Sequence, residues 1–427
     1  MSRTPGLATA SLLENARFNA TVVVPNAVQG IFRRRRQAVR AATTANLDGK
    51  AVGLLEGMSR SYGGGPVRVK VARDDAVLLL DPADVERVLE GSPDPFAADP
   101  EAKRNGMVHF QPDALTISRG SEWKSRRRFA EAVLGEAAPA RVSQIARDEA
   151  RDLLDAADGE ITWEPWNRAF QRLTRRVVLG DAAAGDWALT ETLEKMMSGA
   201  NGMPGKPADD LEAFEERIGA YVERAEEGSL AAAFAAAPQD SDTRPAGQAT
   251  HWLFAMGDTL AINALRSLAA LATHDDARER ALVDTDGAWL DACLHEAMRL
   301  WPTTTMLSRV SVEPTEWRGE EVEADTQFVI SNTYGHRDRD RLLYADRFAP
   351  EEWTEGDAGS NPAFNHFSRG PQGCPGTALA LMAGRTFLRE ALERDIEAVN
   401  PKLYPSKPLP HMVDFFGIRV RTGSDPS

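Results

Sequence analysis

From Ser121 to about Leu392 the apolar residues recur at helical spacing, and this run constrains the fold more than any other feature of the chain. Side chains at i, i+3, i+4 and i+7 give each helix one face to bury against its neighbours. The pattern breaks at the polar stretches 201–208 and 236–247 and at a strand-prone interval of about 306–332. Upstream, residues 11–57 read as mostly helical, and Tyr62-Gly63-Gly64-Gly65-Pro66 reads as a turn. Val67–Val71 and Ala76–Leu80 read as short strands, and Asp81-Pro82 opens a helix. Residues 92–119, rich in Pro, Asp and Gly, read as a long loop, a kind that is commonly functional. Residues 334–366 read as irregular, a final helix runs from Gly376 to about Ala398, and a β-prone tail covers His411–Val420. The expectation is a mainly α protein with a minor β region.

Composition narrows the function. The chain has 427 residues and only two cysteines, Cys293 and Cys374. A disulfide framework needs several pairs, and an all-cysteine zinc or iron–sulfur site needs about four thiolates. The formal charge of −14 argues against a nucleic-acid partner, which calls for a basic face. No apolar run approaches the roughly 20 residues of a membrane span, and the start has no signal-peptide pattern, so a cytoplasmic protein without a membrane anchor is expected. Arg33 to Arg36 form a run of four arginines, read as a solvated helix face or a contact for an anionic partner.

Chemistry concentrates at Phe367-Ser-Arg-Gly370-Pro371-Gln372-Gly373-Cys374-Pro375-Gly376. Cys374 closes a glycine-rich loop directly before a helix whose apolar face carries Leu379, Met382, Phe387 and Ala391. The N–H groups and dipole at a helix start stabilise a thiolate and lower its pKa. Gly370, Gly373 and Gly376 leave room for a flat ligand, and Phe367 supplies an aromatic wall. A thiolate so presented suits a metal with one protein ligand, for which haem iron is the obvious candidate. A buried structural cysteine and a nucleophilic cysteine with a histidine base are the other readings. Cys293, inside a helix, reads as core filling.

Two further groupings stand out. Glu296 and Arg299 share a helix face at i, i+3, a spacing worth only ~0.2–0.5 kcal/mol when exposed. Gly257-Asp258-Thr259 interrupts an apolar helix of about 249–272. A glycine there costs ~1 kcal/mol against alanine, and a buried Asp–Thr pair needs partners. The grouping is either a kink or a groove where a small ligand meets a proton-carrying hydroxyl.

Taken in order, these elements resemble the cytochrome P-450 family of haem-thiolate monooxygenases, from about residue 60 onward. Trp123-Lys-Ser-Arg-Arg127 is similar to the family's Trp-x-x-x-Arg helix, and Ala255-Met-Gly-Asp258-Thr259 to its oxygen-binding groove. Glu296-Ala-Met-Arg299 is similar to the Glu-x-x-Arg element, Phe348-Ala-Pro350-Glu351 to a later Pro-containing segment, and Phe367 to Gly376 to the cysteine loop. The resemblance implies a single haem domain over 1–427. It would comprise an N-terminal helix and small β region (about 11–80), a helical core (about 81–300) and a C-terminal β and cysteine-loop region (about 301–427), with the haem between the groove helix and the cysteine-loop helix.

The resemblance also implies roles. Cys374 would be the axial thiolate on the iron of haem b, with Phe367 and Gly376 beside it. Trp123, Arg127 and Arg309 would hold the haem propionates, with Arg369 or His366 standing in for the usual basic residue two before the cysteine, which here is Gln372. Thr259 would stabilise the activated oxygen and Asp258 would route protons to it. Glu296 and Arg299 would be structural. The family's arginine after Phe348-x-Pro350 is Glu352 here, so His336 or Arg347 would complete their network. Met256 stands where a glycine is usual and would project toward substrate or distort the groove. Substrate contacts would come from the 92–119 loop, Ala255, Met256, the stretch Thr303–Leu307 with Thr304 and Leu307, and Phe415-Phe416. The implied reaction inserts one oxygen atom into a lipophilic small molecule, as in secondary-metabolite tailoring. No residues beyond the haem domain are left for a fused electron-transfer module, so an external ferredoxin and ferredoxin reductase are expected. Lys124, Arg126, Arg127 and Arg128 offer a basic cluster for docking, or an ordinary charged helix face. A peroxide-driven peroxygenase and a non-catalytic haem-binding protein are the rival readings.

Overall fold

The computed structural model describes residues 6–135 and 139–423. Its centre is a bent helix made of Pro245–Met256 and Asp258–Leu271. Pro245 sits in the first turn, where its missing N–H costs nothing. The bend is at Gly257, whose backbone (φ −62, ψ −86) leaves the helical region. Asp258 then opens the second half, a favourable place for an acid at a helix start.

The helices Ala288–Leu300 and Thr377–Leu392 pack against Asp258–Leu271, and Thr377–Leu392 also packs against Pro139–Ala156. Leu265, Leu268, Leu290, Leu294 and Leu388 are fully buried where these helices meet, each contributing about 1.5–3 kcal/mol of burial. They belong to one apolar cluster that also takes in Trp163–Leu179 and Trp187–Ala200. The fold is mainly α with a small β region, as the periodicity predicts.

The principal sheet has six strands in the order Ala8–Thr9, Val67–Val71, Asp74–Leu79, Gln327–Ser331, Met306–Ser311, Phe96–Ala97. Asp74–Leu79 pairs with Gln327–Ser331 in parallel, placing Val77 opposite Phe328; Met306–Ser311 pairs antiparallel and sets Arg309 opposite the same Phe328. Smaller sheets join Ile396–Asn400, Arg419–Thr422 and Glu160–Thr162, and Thr315–Trp317 with Glu320–Val322. No helix among the described residues is long and apolar enough to cross a membrane.

Three sequence expectations differ from the structure. Residues 92–119 are not one loop: they hold the strand Phe96–Ala97, the helix Glu101–Met107 and a turn at Leu115–Ile117. The last helix stops at Leu392 because Ile396 and Ala398 pair with Thr422 and Val420 of the closing strand. The arginine run is not a solvated face. Arg33 pairs with Asp258 and Glu194, Arg34 bonds the Thr303 carbonyl at 2.7 Å, and Arg36 pairs with Glu164. Arg33, Arg34 and Arg36 thus staple the N-terminal segment to distant elements, while exposed Arg35 bonds only the nearby Ala27 and Val28 carbonyls.

Candidate active site

The cysteine loop folds back on itself. The Cys374 N–H donates to the Phe367 carbonyl at 2.8 Å, and the Gly373 N–H to the Gly370 carbonyl at 2.8 Å. Gly370 has φ +67, and a Cβ there would lie 2.5 Å from the Leu89 carbonyl oxygen. That glycine therefore seats the loop on the helix Pro82–Glu90, which the sequence reading had instead credited to ligand clearance. Arg127 braces the loop from outside, donating to the Gly373 carbonyl at 2.6 Å while pairing with Glu131.

Cys374 opens into a groove of about 740 Å³ whose walls include Ala292, His295, Trp353, His366, Phe367 and Arg369. The thiol pKa is raised, not lowered as the helix start alone predicts. Desolvation by the surrounding protein outweighs the Gly376 N–H, the Thr377 hydroxyl and the Arg127 charge. Those three groups remain as donors and charge for a thiolate once a cation is ligated. At Gly376 a side-chain carbon would sit 3.9 Å from the sulfur. Cys293, by contrast, is fully buried in the core.

Around the bend, between residues 247 and 265, the partly exposed positions are His251, Phe254, Ala255, Asp258 and Thr259. Their spacing is i, i+3, i+4, i+7, i+8, which is one face. Trp252, Leu253, Met256, Leu260 and Ala261 between them are buried. The central helix is thus left partly uncovered along one stripe, and the acid and alcohol of the Asp–Thr pair lie on that stripe. Asp258 is held there from three sides: by Arg33, by Asn167 Nδ2 at 2.9 Å and by Gln171 Nε2 at 2.9 Å. The Thr259 hydroxyl has no hydrogen-bond partner among the described residues.

The charges around the site test whether haem fits. Arg309 is buried, and it bonds only neutral oxygens: Ser92 Oγ at 3.0 Å, the Ser308 carbonyl at 3.0 Å and Ser368 Oγ at 3.1 Å. Lys103, on Glu101–Met107, bonds the carbonyls of Ala98 at 2.9 Å and Thr116 at 2.8 Å. Burial, with the nearby Arg309 charge, brings Lys103 down to about 7. Neither cation meets a carboxylate among the described residues, and two unneutralised cations are costly to enclose. A ligand with two carboxylates, such as haem with its propionates, matches them. The Trp123 indole N–H likewise has no protein acceptor among the described residues.

The Glu296–Arg299 pair is fully buried and bidentate, at 2.6 and 2.7 Å. Arg299 also donates to the carbonyls of His336, Tyr344, Ala345 and Arg347. Glu296 accepts from the Ala349 N–H at 2.9 Å and from Trp353 Nε1 at 2.9 Å. The indole of Trp353 joins this network, the His336 ring contacts the Arg299 carbonyl at 3.3 Å, and Arg347 takes part through its backbone carbonyl.

Arg369 and His366 line the Cys374 groove but are engaged with protein partners. Arg369 spends its guanidinium on the carbonyls of Ser360 at 3.2 Å and Asn361 at 2.9 Å. His366 bonds His295 at 2.8 Å. Met256 and Phe415 pack in the main core, Leu307 packs on the sheet cluster, and Thr304 is exposed. Of the four basic residues at 124–128, Arg126 is buried on Asp113 and the Asp242 carbonyl, Arg127 is on the loop, and only Lys124 and Arg128 face outward. Sequence reasoning missed Lys103, Trp353, Asn167 and Gln171. Lys103 alone carried a signal, as a charge within the 92–119 segment expected to contact substrate.

A family model described as cytochrome P-450 matches residues 288–395, which include Glu296, Arg299 and Cys374. Similar curated proteins include the cytochrome P-450 monooxygenase nodW of Hypoxylon pulicicidum, 33% identical over 132 residues, or 29% of this chain and 23% of that protein. Cytochrome P-450 4c3 of Drosophila melanogaster is 30% identical over 118 residues, covering 27% of this chain and 22% of that protein. The lithocholate 6-beta-hydroxylase of Mesocricetus auratus is 26% identical over 171 residues, 36% of this chain and 34% of that protein. The chain thus spans about a quarter to a third of the length of these relatives.

Proposed function

Because the chain belongs to the cytochrome P-450 family, we propose that it is a haem-thiolate monooxygenase acting on a lipophilic small molecule. The observation that carries this reading is the pair of unneutralised cations, Lys103 and Arg309, within one fold that also presents Cys374 at a helix start and the Asp258–Thr259 pair on a cavity face. Haem b, when bound, supplies dioxygen activation that places one oxygen atom in the substrate and the other in water, at the cost of two electrons.

Each residue then has a defined task. Cys374 Sγ would ligate the iron, its negative charge offset by the Gly376 N–H and the Arg127 guanidinium. Lys103 Nζ, Arg309 and the Trp123 N–H take the two carboxylates. Thr259 Oγ1 offers a proton on the cavity face. Asp258, fixed by Asn167 and Gln171, would help relay protons from solvent toward that hydroxyl. Phe254 and Ala255 give the substrate an apolar wall. We place the protein in the cytosol, with an external ferredoxin and its reductase as electron source; exposed Lys124 and Arg128 suit an acidic carrier. Tailoring of a secondary metabolite is the proposed context.

The test is a coupling assay with a surrogate ferredoxin system. Thr259→Ala should keep oxygen consumption but divert most of it to hydrogen peroxide, lowering product per oxygen at least about tenfold, the scale of one lost proton-transfer group. Turnover on peroxide alone, indifferent to Thr259→Ala, would instead establish the peroxide-driven reading.

A further inference from the structure

The cavity face of the bent helix is not wholly apolar. His251 lies one turn before Ala255 on the same stripe and is partly exposed there. Its ring rests near Phe254, with centroids 6.2 Å apart. Its Nδ1 contacts Gln111 Oε1 at 2.7 Å. Gln111 is fully buried, and its Nε2 is enclosed without a partner. The amide is thus committed to the imidazole from behind, and nothing else competes for it.

This contact sets the tautomer. An amide oxygen only accepts, so Nδ1 carries the hydrogen. Burial, with the Lys103 charge nearby, brings the ring down to about 4, so it is neutral near pH 7. The remaining nitrogen, Nε2, has a bare lone pair. It has no partner among the described residues, and the residue is partly exposed. A bare acceptor beside an aromatic ring discriminates sharply. It bonds a hydroxyl or N–H and rejects the same molecule when that group is methylated, because a buried polar group is then left unpaired.

Resting on the monooxygenase reading above, we propose that His251, oriented by Gln111, is a specificity-determining hydrogen-bond acceptor on the cavity face, and that the substrate is a lipophilic molecule carrying a hydroxyl or N–H donor. The substrate is therefore not a pure hydrocarbon: its donor sits about one helical turn from the Ala255–Thr259 end of the stripe, with the reacting carbon toward Thr259.

The experiment uses the haem-loaded protein and a size-graded series of cyclic alcohols, from cyclohexanol to 1-adamantanol, each paired with its methyl ether. Calorimetry should find members of the series for which the alcohol binds at least about tenfold tighter than its ether. His251→Leu should reduce that ratio to near one, and Gln111→Leu, which frees the tautomer, should reduce it in part. In the diamagnetic ferrous carbon-monoxide form, ¹⁵N-histidine spectra should contain one neutral ring with hydrogen on Nδ1 that is lost in His251→Leu. Equal affinities throughout, no measurable binding by any alcohol, or hydrogen on Nε2 of His251 would overturn the proposal. Such a result in a protein with a normal thiolate-haem spectrum would leave the monooxygenase reading intact, whereas a protein that takes no haem would remove both.

Discussion

Trp353 shows how one residue can take over a partner's task. Glu296 has four lone-pair sites to satisfy in a fully buried setting, and Arg299 alone cannot reach them all. The indole N–H fills the gap at 2.9 Å, and the same ring stacks on His295 at 4.8 Å. Trp353→Phe keeps the stacking and removes the donor. It should cost about 1.5–3 kcal/mol, the value of a hydrogen bond to a charged group, read as a lower urea midpoint. Glu296→Gln should cost more, about 3–5 kcal/mol, because it leaves Arg299 charged and buried without its partner. The Glu–Arg pair was legible in the sequence because both residues lie on one helix face. Trp353 was not, because 57 residues separate it from Glu296 and only the folded chain brings them together.

At the scale of elements, two glycines carry opposite consequences. A Cβ at Gly257 would meet the end of Gln171 at 2.7 Å, which a flexible side chain can evade. Gly257→Ala gains ~1 kcal/mol of helix propensity but displaces the amide that orients Asp258. Its stability should change by less than about 1 kcal/mol, while peroxide release per oxygen consumed should rise. At Gly370 the obstacle is the Leu89 backbone and φ is +67. Gly370→Ala should lower the thermal midpoint and the fraction of haem retained on gel filtration. The break at Gly257 and the thiol at a helix start could be read from spacing alone. The helix holding Lys103 could not, because its short run of polar residues, Glu101–Met107, carries no clear apolar stripe. The arginine run was equally opaque, since the partners of Arg33, Arg34 and Arg36 come from distant parts of the chain.

Across the whole molecule, histidines bear on acid stability. Burial lowers His251 and His295 to about 4 and His336 to about 3, and depresses His274, His366 and His411 as well. Unfolded, each would take a proton near pH 6.5. The unfolded chain therefore binds more protons below that pH, and stability is lost as pH falls. For fully buried His336 the slope approaches about 1.4 kcal/mol per pH unit between the two pKa values. Urea midpoints should fall steadily as pH drops from 6.5 to 4; a flat profile there would show these rings to be solvated. The bend, the arginine staples and the Glu296 network all serve to hold a thiol, two cations and an acid–alcohol pair in one frame, and the central claim is that this frame binds haem through sulfur. The most direct measurement is the absorption spectrum of the purified, reduced protein under carbon monoxide. A Soret band strongly red-shifted from that of a histidine-ligated haem is expected, absent in Cys374→Ser and retained in Cys293→Ser. A colourless protein that refuses added haem, or a thiolate spectrum that survives Cys374→Ser, would contradict it.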